Sequence, residues 1–512
     1  MSAPKYLIDT NVFVGAEDVR AIEPAIARLL ELANRHRISV FIHQAAKDDI
    51  KQDRNEARRS ASLSKVDKYP IIATPRDVTE ATLAATYGPL AKRNDVVDAT
   101  LLQALDAGAA DVLVTQDRKL RARARKHASH LEDRVLFVAD AVALLERTYE
   151  PSAVPVRHVE EVKAYEIPKG DEIFESLREG YADFDDWWER CCRDHRPCWV
   201  VYDDDTLAGL VVRKDETGDD TDAQTSASKI LKVCTFKVRP ERRGTKLGEL
   251  LLRQVLWFAA NNGYELVYVT TFPEQQALID LLEEFGFDRT KEKSDGELVY
   301  EKPFYATPPD PDPNSDLYEL ARVSYPAIPM RSRQIAYAVP IQEAWHDVLF
   351  PDLDRRRQGD LFSVSGQGAG PRRPGNTIRK VYICHTGTTT IERGVLLAFY
   401  KCKSAEEPSQ AVTAFGIAEG LRLARSTEEV VRLTGGRSVY TRRQIEEFGA
   451  SMNRPVKVID FLLVGYAVPP MKLNELRSDG VFTAPPQSIT KLSAEKAAQV
   501  ANRLALTLDM QD

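Results

Sequence analysis

Cysteine is scarce in this 512-residue chain, with six in all. That is too few to staple a chain of this length, so a disulfide scaffold is excluded. Long apolar runs are missing as well. None approaches the roughly 18 residues of a membrane helix. The opening Met1-Ser-Ala-Pro-Lys runs straight into an apolar strand followed by an aspartate, which is not the layout of a signal peptide. There is no internal repeat. The compositional bias of disordered chains is absent too, since hydrophobic residues make up 43% and charged residues 29%. A soluble cytoplasmic protein is the expectation.

At roughly 150 residues per domain the length suggests about three domains. Two breaks divide the chain. Thr148–Arg157 carries two prolines after a helical pattern, and Thr307–Pro313 (TPPDPDP) cannot hold a helix or a central strand. The pieces are 1–150, 155–305 and 325–510, with a Gly/Ser/Pro-rich loop at Ser363–Gly375 inside the last. The net charge of −7 argues, taken whole, against a polyanionic partner. It is nevertheless a sum of opposed parts. Residues 331–512 carry 25 Lys+Arg against 19 Asp+Glu, while the first 330 residues carry 45 against 58. A basic docking end and an acidic working half follow.

In the first piece short apolar strands (Tyr6-Leu-Ile, Ile38–Ile42, Val112–Thr115, Val135–Val138) alternate with helical patterns, which predicts a parallel α/β sheet. Sites in such sheets lie beyond the carboxyl ends of the strands. Asp9 and Asp117 sit there, and Asp95 and Asp98 share one helix face. Converging carboxylates need a compensating cation, and Mg²⁺ or Mn²⁺ suits oxygen ligands. Taken singly, each aspartate reads as readily as a helix cap or a solvated loop residue. LIDTN (7–11), HQAAKDDI (43–50), NDVVDATLL (94–102) and VTQD (114–117) together resemble the PIN-domain nucleases. The resemblance implies Asp9, Asp49, Asp98 and Asp117 as catalytic metal ligands, Asp95 as an auxiliary ligand, and Asn11 and Thr115 as orienting residues. Asp48 and Asp49 are adjacent at the second position, where the more usual Glu is absent.

The second piece reads as a strand (Ile230–Val238), a basic turn (Arg239–Gly248), a helix (Glu249–Asn261), a further strand (Glu265–Thr270), a helix ending at Phe285-Gly-Phe287 and a last strand (Glu297–Glu301). A strand, a Gly-containing turn and a helix start make an anion cradle, to which Arg242, Arg243 and Lys246 add cations. A plain basic turn is the bland alternative. The order, the loop Arg243-Gly-Thr-Lys-Leu-Gly248 and EEFGF (283–287) resemble the GNAT acetyltransferases. The resemblance implies a mixed α/β fold that binds acetyl-CoA, with Val238, Arg243, Gly244, Lys246, Leu247 and Gly248 as cofactor positions. Lys246 replaces the central Gly of the loop, and Leu282 stands where the family often carries a Tyr general acid. Cys191, Cys192, His195 and Cys198 lack the spacing of a zinc site, and Trp187 and Trp188 read as helix packing.

The third piece has β-branched strands (Lys380–Cys384, Gly394–Tyr400, Ala411–Ile417, Val456–Leu463), which predict a small barrel with helices attached. Basic residues lie among aromatics: Arg372, Arg373, Arg379 and Lys380 near Tyr382; Lys401 and Lys403 beside Phe399-Tyr400; Arg437, Arg442 and Arg443 around Tyr440. Such a mixture holds phosphates and stacks bases, unless the aromatics are core and the cations a solvated rim. Segments 375–388, 394–403, 435–445 and 485–489 resemble the PUA-like superfamily near its ASCH and EVE branches, which implies RNA binding.

The expectation is therefore an α/β multidomain chain: a PIN-like parallel sheet, a GNAT domain and a PUA-like barrel. RNA, tRNA among the candidates, and acetyl-CoA are the expected partners, and pairing into a homodimer is compatible with both enzyme families. The alternative is chiefly an N-acetyltransferase or acetyl-CoA sensor whose two ends are binding modules.

Overall fold

The structure, a computed structural model, describes residues 4–17, 22–51, 56–73, 78–150, 159–181, 183–203, 206–239, 246–304, 311–312, 314–329, 331, 334–353, 377–404, 407–434 and 437–505. Among these residues the strands form three sheets, and no helix is long and apolar enough to cross a membrane.

The first sheet holds β1 (Lys5–Ile8), β2 (Ser39–His43), β3 (Ile71–Ile72), β4 (Val112–Thr115) and β5 (Val135–Phe137) in the order β3-β2-β1-β4-β5. Every pairing is parallel. Alternation explains why these strands are short apolar runs. Tyr6, Ile8, Val112 and Val114 enter one core, and Leu7, Leu113 and Val135 enter the other, so helices cover both faces.

The second sheet holds β6 (Glu160–Lys163), β7 (Pro197–Asp203), β8 (Thr206–Glu216), β9 (Ile230–Val238), β10 (Leu266–Thr271), β11 (Asp288–Glu292) and β12 (Leu298–Pro303). Its order is β11-β12-β10-β9-β8-β7-β6. Only the β9–β10 pairing is parallel. One face (Leu231, Val233, Val267, Val269) packs on the helix Leu247–Asn261, here the central helix. The other (Val200, Leu210, Val212) packs on the helix Phe184–Arg193, where Trp188 and Cys191 are buried and Trp187 is half-buried.

The third sheet holds β13 (Ala336–Ile341), β14 (Arg379–Cys384), β15 (Leu396–Lys401), β16 (Ala411–Ala424), β17 (Val456–Lys472), β18 (Thr490–Leu492) and β19 (Leu504–Ala505). The order is β14-β17-β16-β15-β13-β18, with β19 on β17. A small barrel was expected here, and strand pairing does not close it. Among the described residues the path stays open between β14 and β18, although three register shifts along β16–β17 bend the sheet. Both faces of this sheet are apolar. Tyr337, Val339, Phe399 and Phe461 fill an inner core, while Ala338, Leu396, Phe415 and Leu462 face outward into the core built on the central helix.

The central helix is therefore sandwiched between two sheets. Leu250, Leu251, Leu252, Val255, Leu256 and Ala259 are all buried, each large side chain contributing about 1.5–3 kcal/mol. Trp257 Nε1 donates to Tyr325 Oη at 2.6 Å, and Arg253 pairs with Asp352 at 2.9 Å. The first domain docks differently, largely through ion pairs: Arg118–Asp280 at 3.0 Å, Arg125–Glu284 and Lys246–Asp140 at 3.6 Å, and Arg437–Asp133 at 3.5 Å.

Candidate active site

The parallel pair β9–β10 opens partway along. Ile230–Val233 pair with Leu266–Val269, and the ladder stops there although β9 runs on to Val238 and β10 to Thr271. A bulge lies at the parting point. On the β8 side Val212 faces Thr235 and Arg213 faces Val233, so Cys234 has no opposite residue. The extra residue bends β9 away from β10 and leaves a wedge between residues 234–238 and 270–271. Val238, half-buried and paired with Gly209, ends that edge.

Past the wedge the central helix begins. Lys246 takes a left-handed conformation (φ 63°) that turns the chain into the helix. A 15-residue helix presents free N–H groups and a positive dipole end there. Arg242, Arg243 and Gly244 lie outside the described residues. The Leu247 side chain is buried in the core, so only its backbone can serve a ligand. Gly248 lets the helix Gln276–Glu284 approach: a Cβ there would sit 3.2 Å from Leu281 Cδ2. Lys246 Nζ is 3.6 Å from the Asp140 carboxylate.

Leu282 is fully buried. At the open end of β10 a different group is found. The Tyr181 ring lies 5.2 Å from that of Phe272, and its hydroxyl donates to Glu297 Oε1 at 3.2 Å. Burial, then the Glu297 charge, push the Tyr181 hydroxyl above the ordinary phenol range. No motif in the sequence marks Tyr181 or Glu297, because they come from the loop before one helix and from a hairpin. Arg196 donates to Cys234 Sγ at 3.6 Å. The Cys191 and Cys198 thiols are pushed up to about 12 by burial.

At the carboxyl edge of the first sheet, Asp9 follows β1, Asp117 caps the helix Arg118–His127, and Asp98 lies on the helix Arg93–Asp106. Thr115 Oγ1 donates to Asp9 at 2.7 Å, and Thr10 N donates to its other oxygen at 2.6 Å. Asn11 donates to Thr115 Oγ1 at 3.4 Å. Burial, then Asp117 and Asp9, push the Asp98 carboxyl up to about 7. These three carboxylates are thus brought within electrostatic reach of one another. Asp95 adds its charge to theirs at Asp98. It accepts from the N–H groups of Ala91 and Lys92 and pairs with Arg123 at 2.8 Å, so it is a helix cap. The Asp49 side chain lies outside the described residues. Among the described residues no group of three or more Asp, Glu, His or Cys is arranged to hold a metal ion. The expected Mg²⁺ or Mn²⁺ is therefore not supported by the described residues, in which the oxygens of Asp9 and Asp117 accept from Thr10, Thr115, Lys119 and Leu120.

Burial takes Arg379, Lys380, Lys401 and Arg437 out of the basic clusters expected to contact RNA. Arg379 pairs with Glu249 and Glu284 between sheets. Lys380 is 4% exposed and pushed down to about 7 by burial. Lys401 is buried against Asp347 at 3.0 Å, and the half-buried Arg437 pairs with Asp460 at 3.2 Å. Phe399, Tyr400, Tyr382 and Tyr440 are core. Lys403 and Arg443 do lie at the surface, and Arg372 and Arg373 lie outside the described residues. The third domain instead holds a cavity of about 410 Å³ lined by Trp345, Tyr382, His385, Tyr440 and Phe448.

Residues 162–287 match the acetyltransferase (GNAT) family. Solved structures that resemble the chain include the PaiA N-acetyltransferase of Thermoplasma acidophilum in complex with coenzyme A (12% identity, 29% of this chain, 99% of that one, TM-score 0.23). Another is a GNAT acetyltransferase of Elizabethkingia anophelis with acetyl-CoA bound (12%, 29% and 97%, TM-score 0.21). A mutant of the ZmASCH protein from Zymomonas mobilis also resembles it (14%, 34% and 100%, TM-score 0.24). No curated protein matches the chain. The chain thus carries a GNAT-type acetyltransferase domain. That domain spans 162–287, within a larger mixed α/β protein.

Proposed function

We propose that the chain is an acetyl-CoA-dependent N-acyltransferase whose central domain (155–305) does the chemistry and whose flanking domains (1–150 and 325–510) position it and its acceptor. The observation that carries this reading is the parting of β9 from β10 at Val233 and Val269, on the strand that precedes the central helix and its Lys246 cap. Acetyl-CoA, when bound, supplies an activated acetyl thioester. The free edge of residues 234–238 fits the hydrogen bonding of an extended chain laid into the wedge. The central helix N-terminus and Lys246 suit its phosphates. Leu282 cannot move a proton. The Tyr181 hydroxyl, bonded to Glu297 at the wedge mouth, is the group assigned to hold the proton that transfer must relocate. Isothermal titration of the full chain with acetyl-CoA, followed by thiol release with a panel of amines, tests this. Saturable binding and amine-dependent release are expected, and absence of binding overturns the reading.

A second reading, a PIN-type ribonuclease steered to RNA, is favoured by Asp9 and Asp117 lying close enough to push up the Asp98 carboxyl. Asp49 is the remaining carboxylate of that set. Replacing Asp9 and Asp117 with Asn and following RNA cleavage in Mn²⁺ separates the two. Cleavage lost in the variants supports the second reading, and equal inertness of all chains removes it.

A further inference from the structure

Asp140, on the helix Val138–Tyr149 of the first domain, reaches the start of the central helix. One of its oxygens is 3.6 Å from Lys246 Nζ, and the other is 3.5 Å from an Nη of Arg121. Arg121 stands on the helix Arg118–His127 with its guanidinium 4.6 Å above the Phe137 ring. Two cations from two domains thus flank one point beside the helix N-terminus. That point lies in the wall of a cavity of about 1040 Å³, which Arg125 and Arg379 also line. The carboxylate meets neither cation at the roughly 2.7–2.9 Å of a close charge-assisted bond. Burial pushes the Asp140 carboxyl up, but Lys246, Arg121 and Arg379 outweigh it and hold the group below the usual carboxylate range. The surroundings favour an anion, and a single carboxylate uses them poorly.

We propose that Arg121 and Lys246 together form the pyrophosphate site of an acyl-CoA, so that the first domain supplies a cation to the cofactor of the central domain. The inference rests on the acyltransferase reading of that domain. A pyrophosphate carries several oxygens and more than one negative charge, so it can meet both cations at once. Asp140 then lies beside the anion and opposes it. Docking of the first domain and binding of acyl-CoA become coupled, each favouring the other.

Calorimetric titration of full-length chains with acetyl-CoA tests the inference. Arg121→Ala is expected to weaken binding about tenfold and Arg121→Lys much less. Asp140→Asn is expected to tighten binding about threefold by removing a like charge. Melting midpoints identify any variant that fails to fold, and because Asp140→Asn keeps the side-chain shape it decides the matter should Arg121→Ala unfold. If wild type binds and both Arg121→Ala and Asp140→Asn match it, the inference is overturned while the acyltransferase reading stands. A wild-type chain that binds no acetyl-CoA overturns the reading beneath and the inference with it.

Discussion

Arg379, on the edge strand β14, closes on Glu249 of the central helix with both backbone and side chain. Its N–H donates to one carboxylate oxygen at 2.5 Å and its Nη2 to the other at 3.0 Å. Glu249 is 3% exposed, and a second carboxylate, Glu284, binds the same guanidinium. Arg379 thereby joins three elements beside the helix start that the proposed cofactor site uses.

Removing one partner of such a buried pair leaves the others uncompensated, at a cost of about 3–5 kcal/mol. Arg379→Met is expected to destabilise the protein by that much in urea titration. Replacing Glu249 and Glu284 with Gln in the same chain is expected to restore part of the loss. Indifference of the single variant would show that the pair does not join the sheets.

Gly286 makes a close approach. Its φ is 78°, and a Cβ there would lie 2.0 Å from the Val323 carbonyl oxygen. Gly286→Ala is expected to cost more than about 2 kcal/mol, since both the backbone and the contact resist it. Thermal denaturation reads this directly, and an unchanged midpoint would refute the contact.

Much of this was legible in advance. Apolar strands alternating with helical patterns marked the parallel sheet, and EEFGF marked the end of the helix Gln276–Glu284. What sequence could not supply was partnership across long separations. Arg379, Lys380 and Lys401 read as a basic surface because nothing local reveals that Glu249 or Asp347 lies opposite. The cap that Asp95 makes was not legible either, because a capping carboxylate and a metal ligand share the same helical spacing. Nor could the strand pattern of the last third show that one face of its sheet is buried on the central helix.

The Asp98 carboxyl, pushed up to about 7 first by burial and then by Asp117 and Asp9, gives a pH test. A carboxyl raised in the folded state binds its proton better there than in the unfolded chain. Its favourable contribution is full at about pH 4 and below and is lost as pH rises through about 7. Asp98→Asn is therefore expected to exceed wild type in stability by about 2 kcal/mol at about pH 8, with the difference closing toward about pH 4. A difference independent of pH would contradict the assigned interaction.

Tyr181 is assigned the proton at the wedge mouth. Tyr181→Phe is expected to lower kcat about 100-fold while leaving KM for acetyl-CoA near its wild-type value. An unchanged kcat would pass the role to another group.

The central claim is that the wedge between β9 and β10, closed by the Lys246 turn, binds acetyl-CoA. Titrating the full-length chain with acetyl-CoA in a calorimeter tests it most directly. One saturable site per chain, weakened by Lys246→Ala and competed by free coenzyme A, is the result expected. Absence of binding heat at every temperature tried, or binding indifferent to Lys246, would contradict it.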